Sequence, residues 1–138
     1  MGGNEWPTKR ISVASLHLDS KNPRLGRGMD GASPRDLIQY LFEHDKAIEV
    51  VESIASRGFF PNEPLLAIKE KDKFVVVEGN RRLAALKVLR EPGLLEGTAG
   101  RQVERLARRI HDLSSLAKVP VIIAPNRRAT DRQVAGKH

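Results

Sequence analysis

Residues 75–89 read VVVEGNRRLAALKVL, an apolar run that stops at a glycine and resumes in a different rhythm after two arginines. Val75 to Val77 are β-branched and favour a strand. Leu83, Ala85, Leu86 and Leu89 fall on one face at helical spacing. A strand therefore hands over to a helix at Gly79-Asn80-Arg81-Arg82. Two arginines in the first turn of a helix are unusual, because the N-terminal end of the macrodipole is already positive. The first-turn N–H groups have no intrahelical acceptor. Glycine permits close approach to the backbone, and guanidinium forks match phosphate oxygens. The four residues are a candidate anion site. The alternative is a tight strand–helix turn whose arginines pair with Glu78 or Glu63.

Outward from this stretch, "LLAIK" (65–69), the polar "EKDK" and "FVVVE" (74–78) read as a hairpin. Upstream, Ser33-Pro34 with Asp36 marks a helix start, serine as N-cap and proline at the first position. Leu37, Ile38, Leu41 and Phe42 form its apolar stripe. A second helix from about Asp45 carries Ile48, Val51, Ile54 and Ala55 and stops at Arg57-Gly58. "ISVASLHLD" (11–19) predicts a strand with one slip in its alternation, and "SKNPRLGRGMDGASP" a loop. After Pro92-Gly93, a helix is expected over residues 101–114, with Val103, Leu106, Ile110 and Leu113 inward. "VPVIIA" is a buried strand, and Thr130-Asp131 opens a last helix. The order strand, two helices, two strands, two helices, strand, helix predicts an α/β (α+β) domain, a small mixed sheet flanked by helices. Residues 1–10 are expected as a flexible arm and 11–138 as one domain.

The chain of 138 residues has 24 Lys and Arg against 17 Asp and Glu, a formal net charge of +7. Between Arg101 and Arg132 eight basic residues face three acids, so polyanions are natural partners of that segment. Arg101, Arg105 and Arg108 share a helix face and are candidate DNA-backbone contacts; the alternative is a solvated surface. There is no cysteine, hence no disulfide framework and no thiol nucleophile. The four histidines lie far apart with no ligand spacing, so no metal site is expected. Apolar runs are too short to span a bilayer, and the first ten residues lack the core of a secretory signal. A cytoplasmic protein without membrane contact is the expectation. No Gly-x-Ser-x-Gly elbow or Walker A pattern is present.

The stretch "GFFPNEPLLAIKEKDKFVVVEGNRRLAALKVL" (58–89) resembles the core of the ParB/sulfiredoxin-type domain. The family's Gly-apolar-apolar-Gln-Pro turn corresponds to Gly58-Phe59-Phe60 with Pro64. Its Gly-Glu-Arg-Arg corresponds to Gly79-Asn80-Arg81-Arg82 with the following Ala84 and Ala85. Asn22-Pro23-Arg24 is similar to the early Asn-Pro-x-x-Pro-Arg box, and "KVPVII" to the strand that follows the nucleotide-binding helix. The resemblance covers residues 11 to about 128 and implies a nucleoside triphosphate as ligand, with magnesium as its companion. Phosphates would lie on Gly79, Asn80, Arg81 and Arg82, and the rest of the pocket on Gly58, Phe59, Phe60, Asn62 and Glu63.

In the chromosome-partitioning branch, CTP binding and slow hydrolysis switch a DNA clamp. The resemblance accordingly implies the switch or enzymatic module of a bacterial, DNA-associated protein, a homodimer, with the chain as the N-terminal part of something longer. Sulfiredoxin chemistry needs a cysteine at the same turn and is excluded. A DNA-backbone-binding module without a nucleotide site and a ParB-like nuclease remain as alternatives.

Departures from the family pattern weigh on turnover. Asn80 stands where the family commonly has Glu, the pocket turn reads Pro61-Asn62-Glu63-Pro64, a basic helix is inserted after Leu89, and no Glu-Asn-x-x-Arg box follows the last strand. Glu78 is the remaining candidate catalytic carboxylate. Binding is therefore expected to exceed hydrolysis, leaving at most a weak NTPase.

Overall fold

The computed structural model describes residues 6–22, 25, 28, 29, 31–58 and 63–130. Among these, five strands form one sheet in the order β1-β5-β3-β4-β2: β1 Thr8–Ser12, β2 Leu16–Leu18, β3 Leu65–Glu70, β4 Lys73–Glu78 and β5 Lys118–Ala124. β1/β5 and β3/β4 are antiparallel, while β3/β5 and β2/β4 are parallel. The helices α1 Pro34–His44, α2 Ala47–Arg57, α3 Asn80–Arg90 and α4 Gly97–Ala107 complete the mixed α+β architecture expected from the sequence.

The slip in residues 11–19 is a larger event than a bulge. Val13–Ser15 form a 3₁₀ turn, and the strands on either side of it lie at opposite edges of the sheet. A flat sheet of this order would separate its outer strands by roughly 19 Å, four strand spacings. The four steps from Ser12 to Leu16 reach at most about 14 Å. The sheet must therefore curl until its edges approach each other. Val13 fixes the crossing: its N–H donates to Ala117 O (2.8 Å), and its carbonyl accepts from Lys87 Nζ (3.2 Å). β1 begins at Thr8, so the last residues of the expected arm belong to the sheet.

β3 is apolar on both faces. Leu65 and Ala67 face the main core with Leu16, Val76, Val119 and Val121, whereas Leu66 and Ile68 pack with Ala124, Val75, Val77 and Ile122. The hairpin turns on Lys71 and Asp72, both left-handed (φ 50° and 67°), the pattern of a type I′ turn. α3 is a core helix: Leu83, Ala84, Ala85, Leu86, Val88 and Leu89 are all buried, with α2 and α4 packed beside it. Ser33 caps α1 as expected, its Oγ accepting from Asp36 N–H at 3.2 Å.

Two helix boundaries differ from expectation. α4 starts four residues before Arg101 and ends at Ala107; residues 113–116 form a separate 3₁₀ turn capped by Asp112. The glycines of Gly97-Thr98-Ala99-Gly100 disguise the start, since glycine disfavours a helix interior. Gly100 is there because a Cβ would collide with the Leu95 carbonyl oxygen. The last helix opens at residue 127, not at Thr130-Asp131. Asn126 Oδ1 accepts from Ala129 N–H at 2.9 Å, and Thr130 Oγ1 instead donates to Arg127 O at 2.6 Å. Residues 131–138 lie outside the described residues.

Candidate anion site at the start of α3

Gly79 precedes α3 in the left-handed region (φ 102°, ψ 21°), and no side chain caps the helix. A Cβ at Gly79 would stand 2.5 Å from Leu65 Cδ2 and 3.1 Å from Arg82 Nη2, so conformation and space both demand glycine. The Arg82 guanidinium lies over this glycine, half-buried, and its Nη1 donates to the backbone carbonyl of Glu63. Glu63 stands two residues before the start of β3. The two stretches that carried the sequence resemblance thus meet through Arg82. Phe59, Phe60 and Asn62 lie outside the described residues; Gly58 is exposed at the end of α2, left-handed at φ 84°.

Arg82 has no carboxylate partner at ion-pair distance among the described residues. The expected alternative, arginines neutralised by Glu63 or Glu78 side chains, is not what forms. Burial lowers the Arg82 pKa from its ordinary value, the charges of Glu63 and Glu78 oppose that shift, and Arg81 adds to it. The side chain keeps a net desolvation cost that a nearby anion would offset. Arg81 is exposed, its Nη1 donating to Asp45 O at 3.2 Å. The N–H groups of residues 80–82 lack intrahelical acceptors, the first acceptor of the helix being Gly79 O, bonded to Leu83 N–H at 2.9 Å.

Asn80 behaves differently from its neighbours. It is buried, 7% exposed, with Oδ1 accepting from Asp19 N–H (3.0 Å) and Nδ2 donating to Val76 O (2.8 Å). Its amide is spent on holding α3 against β4 and the end of β2. Only its backbone N–H remains for a ligand.

Sequence reading missed the residues behind Asn80. Asp19, 4% exposed, is gripped by both Arg127 nitrogens, Nη1–Oδ2 at 2.7 Å and Nη2–Oδ1 at 3.1 Å. Glu70 joins the same guanidinium at 3.3 Å, and Lys21 N–H donates to Asp19 Oδ1 at 3.0 Å. The hydrogen bond to Asp19, ahead of the charges of Asp19 and Glu70, raises the Arg127 pKa against the opposing effect of burial. No local signal announces this pairing, since its partners are 108 positions apart.

Arg101, Arg105 and Arg108 are exposed on and just after α4, joined to the α3 start by no hydrogen bond or ion pair among the described residues. Arg101 Nη2 donates to Thr98 Oγ1 at 3.2 Å. No group of three or more His, Asp or Glu able to hold a metal ion occurs among the described residues, and no described helix is long and apolar enough to cross a membrane.

The fold and site thus define a mixed α+β domain with an arginine-bearing helix start against a curled sheet. No protein-family model matches the chain, nor does any curated protein. Among solved structures it is similar to C-terminally truncated chromosome-partitioning protein ParB from Caulobacter crescentus complexed with CTP-gamma-S, at 15% identity and a TM-score of 0.48 over 88% of the chain. It is also similar to sulfiredoxin from Arabidopsis thaliana, at 13% identity and a TM-score of 0.42, covering 92% of this chain and 94% of that one. The chain spans 46% of the ParB structure's length. Both likenesses are to the fold group named by the sequence resemblance; neither bears on ligand or activity.

Proposed function

We propose that the chain is a ParB-like nucleoside-triphosphate-binding domain, serving as the switch or enzymatic module of a DNA-associated protein. The observation that carries this reading is Arg82, a half-buried guanidinium without a carboxylate partner among the described residues, set over a glycine at the positive end of α3. The donor set fits phosphate: two guanidinium groups, main-chain N–H groups of the first turn, and no acidic residue in that turn. Arg82 would hold phosphate oxygens while its bond to Glu63 O keeps Glu63, one of the expected pocket residues, in place. Magnesium, where present, would be carried mainly by phosphate oxygens and water.

Binding is expected to outrun turnover. Glu63 and Glu78 are near enough to bias Arg82 electrostatically, yet the Asn80 side chain faces the interior. The test is calorimetry with ATP, CTP and GTP plus magnesium on wild type and Arg82→Ala, with phosphate release followed in parallel. Loss of a charged hydrogen-bond partner costs about 1.5–3 kcal/mol, roughly ten- to more than hundredfold in affinity. Absence of binding by any triphosphate overturns the proposal.

A further inference from the structure

The Asp19–Arg127 pair lies behind the candidate site. It is joined to the first residue of α3 by one unbroken chain of hydrogen bonds. Arg127 grips Asp19 with both terminal nitrogens; the Asp19 N–H donates to Asn80 Oδ1; Asn80 Nδ2 donates to Val76 O. Every link has a defined direction. Asp19 Oδ1 additionally takes the Lys21 N–H, so the carboxylate is held from two sides and the main chain at Asp19 is fixed by its own side chain. Glu70, at the end of β3, steadies Arg127 from a third element.

We propose that Asp19 and Arg127 are positioning residues for the α3 anion site, acting through Asn80 to fix the direction in which the first-turn N–H groups and Arg82 point. This inference rests on the phosphate-binding reading of that site. The physical reason is that α3 has no side-chain cap and begins on a left-handed glycine. Its first turn is oriented instead by the inward side chain of Asn80, anchored on one side by Val76 O of β4 and on the other by Asp19, just past a three-residue edge strand; the Asp19 side of that anchorage is only as rigid as Asp19 itself. A bidentate guanidinium–carboxylate pair fixes orientation as well as distance, which a single bond would not. Binding groups held by a supporting shell keep the geometry a ligand needs; groups left loose lose affinity without losing the fold.

The experiment compares wild type with Asp19→Asn, Arg127→Met and Arg127→Lys, and with Leu106→Ala, on the buried face of α4, as a destabilised control. Each is studied well below its own melting temperature. Two quantities are read: triphosphate affinity by calorimetry, and hydrogen exchange of the Leu83 amide, which closes the first turn of α3 on Gly79 O. Asp19→Asn and Arg127→Met are expected to weaken binding by about tenfold and to speed Leu83 exchange. Arg127→Lys, which keeps the charge but not the fork, should fall between. Leu106→Ala should leave affinity unchanged while lowering the melting temperature, and should speed Leu83 exchange only in step with that loss of global stability. Wild-type binding with unchanged affinity and exchange in Asp19→Asn and Arg127→Met overturns this inference alone. Absence of triphosphate binding by wild type overturns the functional reading and this inference together.

Discussion

Replacing Gly79 by alanine tests the geometry on which the site depends. At φ 102° an L-residue is held in the left-handed region, which costs roughly 1–2 kcal/mol. The new methyl would also stand 2.5 Å from Leu65 Cδ2, a buried side chain in the central strand with little room to retreat. Overpacking of this kind costs about 1–3 kcal/mol. Together the two effects destabilise by about 2–5 kcal/mol, a fall of roughly 7–18 °C in melting temperature for a chain of this length. Gly97→Ala separates the contributions. Gly97 is also left-handed, at φ 72°, but nothing lies within 4 Å of its added Cβ, so only the backbone cost applies. Its melting temperature should fall by about 3–7 °C. Thermal unfolding by circular dichroism reads both. A Gly79→Ala protein melting within about 2 °C of wild type, or no lower than Gly97→Ala, would refute the close packing of Gly79 on Leu65 and Arg82.

Two further outcomes rest on charge. Burial, then the charges of Lys87 and Lys73, lower the His17 pKa from 6.5, so the unfolded chain takes up the proton first as pH falls. Stability should drop as pH decreases from about 6.5 through the lower folded pKa; urea unfolding at pH 7.5 and 5 should show a smaller acid loss in His17→Gln, and equal losses would refute it. If Arg101, Arg105 and Arg108 contact two or three DNA phosphates, binding to a nonspecific duplex should fall with salt at a log–log slope of about −2 to −3. An affinity independent of salt, or untouched by reversing all three charges, leaves that face merely solvated.

What could be read from the sequence was what local chemistry determines. Ser33-Pro34, the hairpin and the strand–helix handover at Gly79 each combine an apolar period with a residue that punctuates it, and each formed as expected. Legibility failed where a distant partner decides. α4 takes a glycine at position 100, against its helical propensity, because a Cβ there would collide with the Leu95 carbonyl oxygen. The turn at Val13–Ser15 carries the chain from one sheet edge to the other because β5 and β4 offer those edges, and neither strand is nearby in sequence. Asp19 and Arg127 look like ordinary loop charges until the fold brings them together. The arginines of the motif were legible as a candidate anion site; the inward turn of Asn80 between them and Gly79 was not.

That inward turn changes how the departure from Glu to Asn should be understood. As a solvent-facing member of the motif, Asn80 would simply be a glutamate short of a charge, and restoring the carboxylate would restore whatever it does to phosphate. Here the side chain is buried, and its Nδ2 supplies a donor to Val76 O that no carboxylate can supply. A glutamate in this backbone would leave that carbonyl without its donor and bring an additional negative charge beside Asp19 and Glu70, which already share the Arg127 guanidinium. Removing the partner of a buried polar group costs about 1–3 kcal/mol before the charge is counted. Asparagine is thus tied to the Asp19–Arg127 arrangement behind it. The amide suits a site whose first turn must be held still around a bound anion, and it puts no carboxylate where a water molecule would need to be activated. On the proposed reading, affinity and turnover would separate at this one position, because the side chain is occupied in holding the helix.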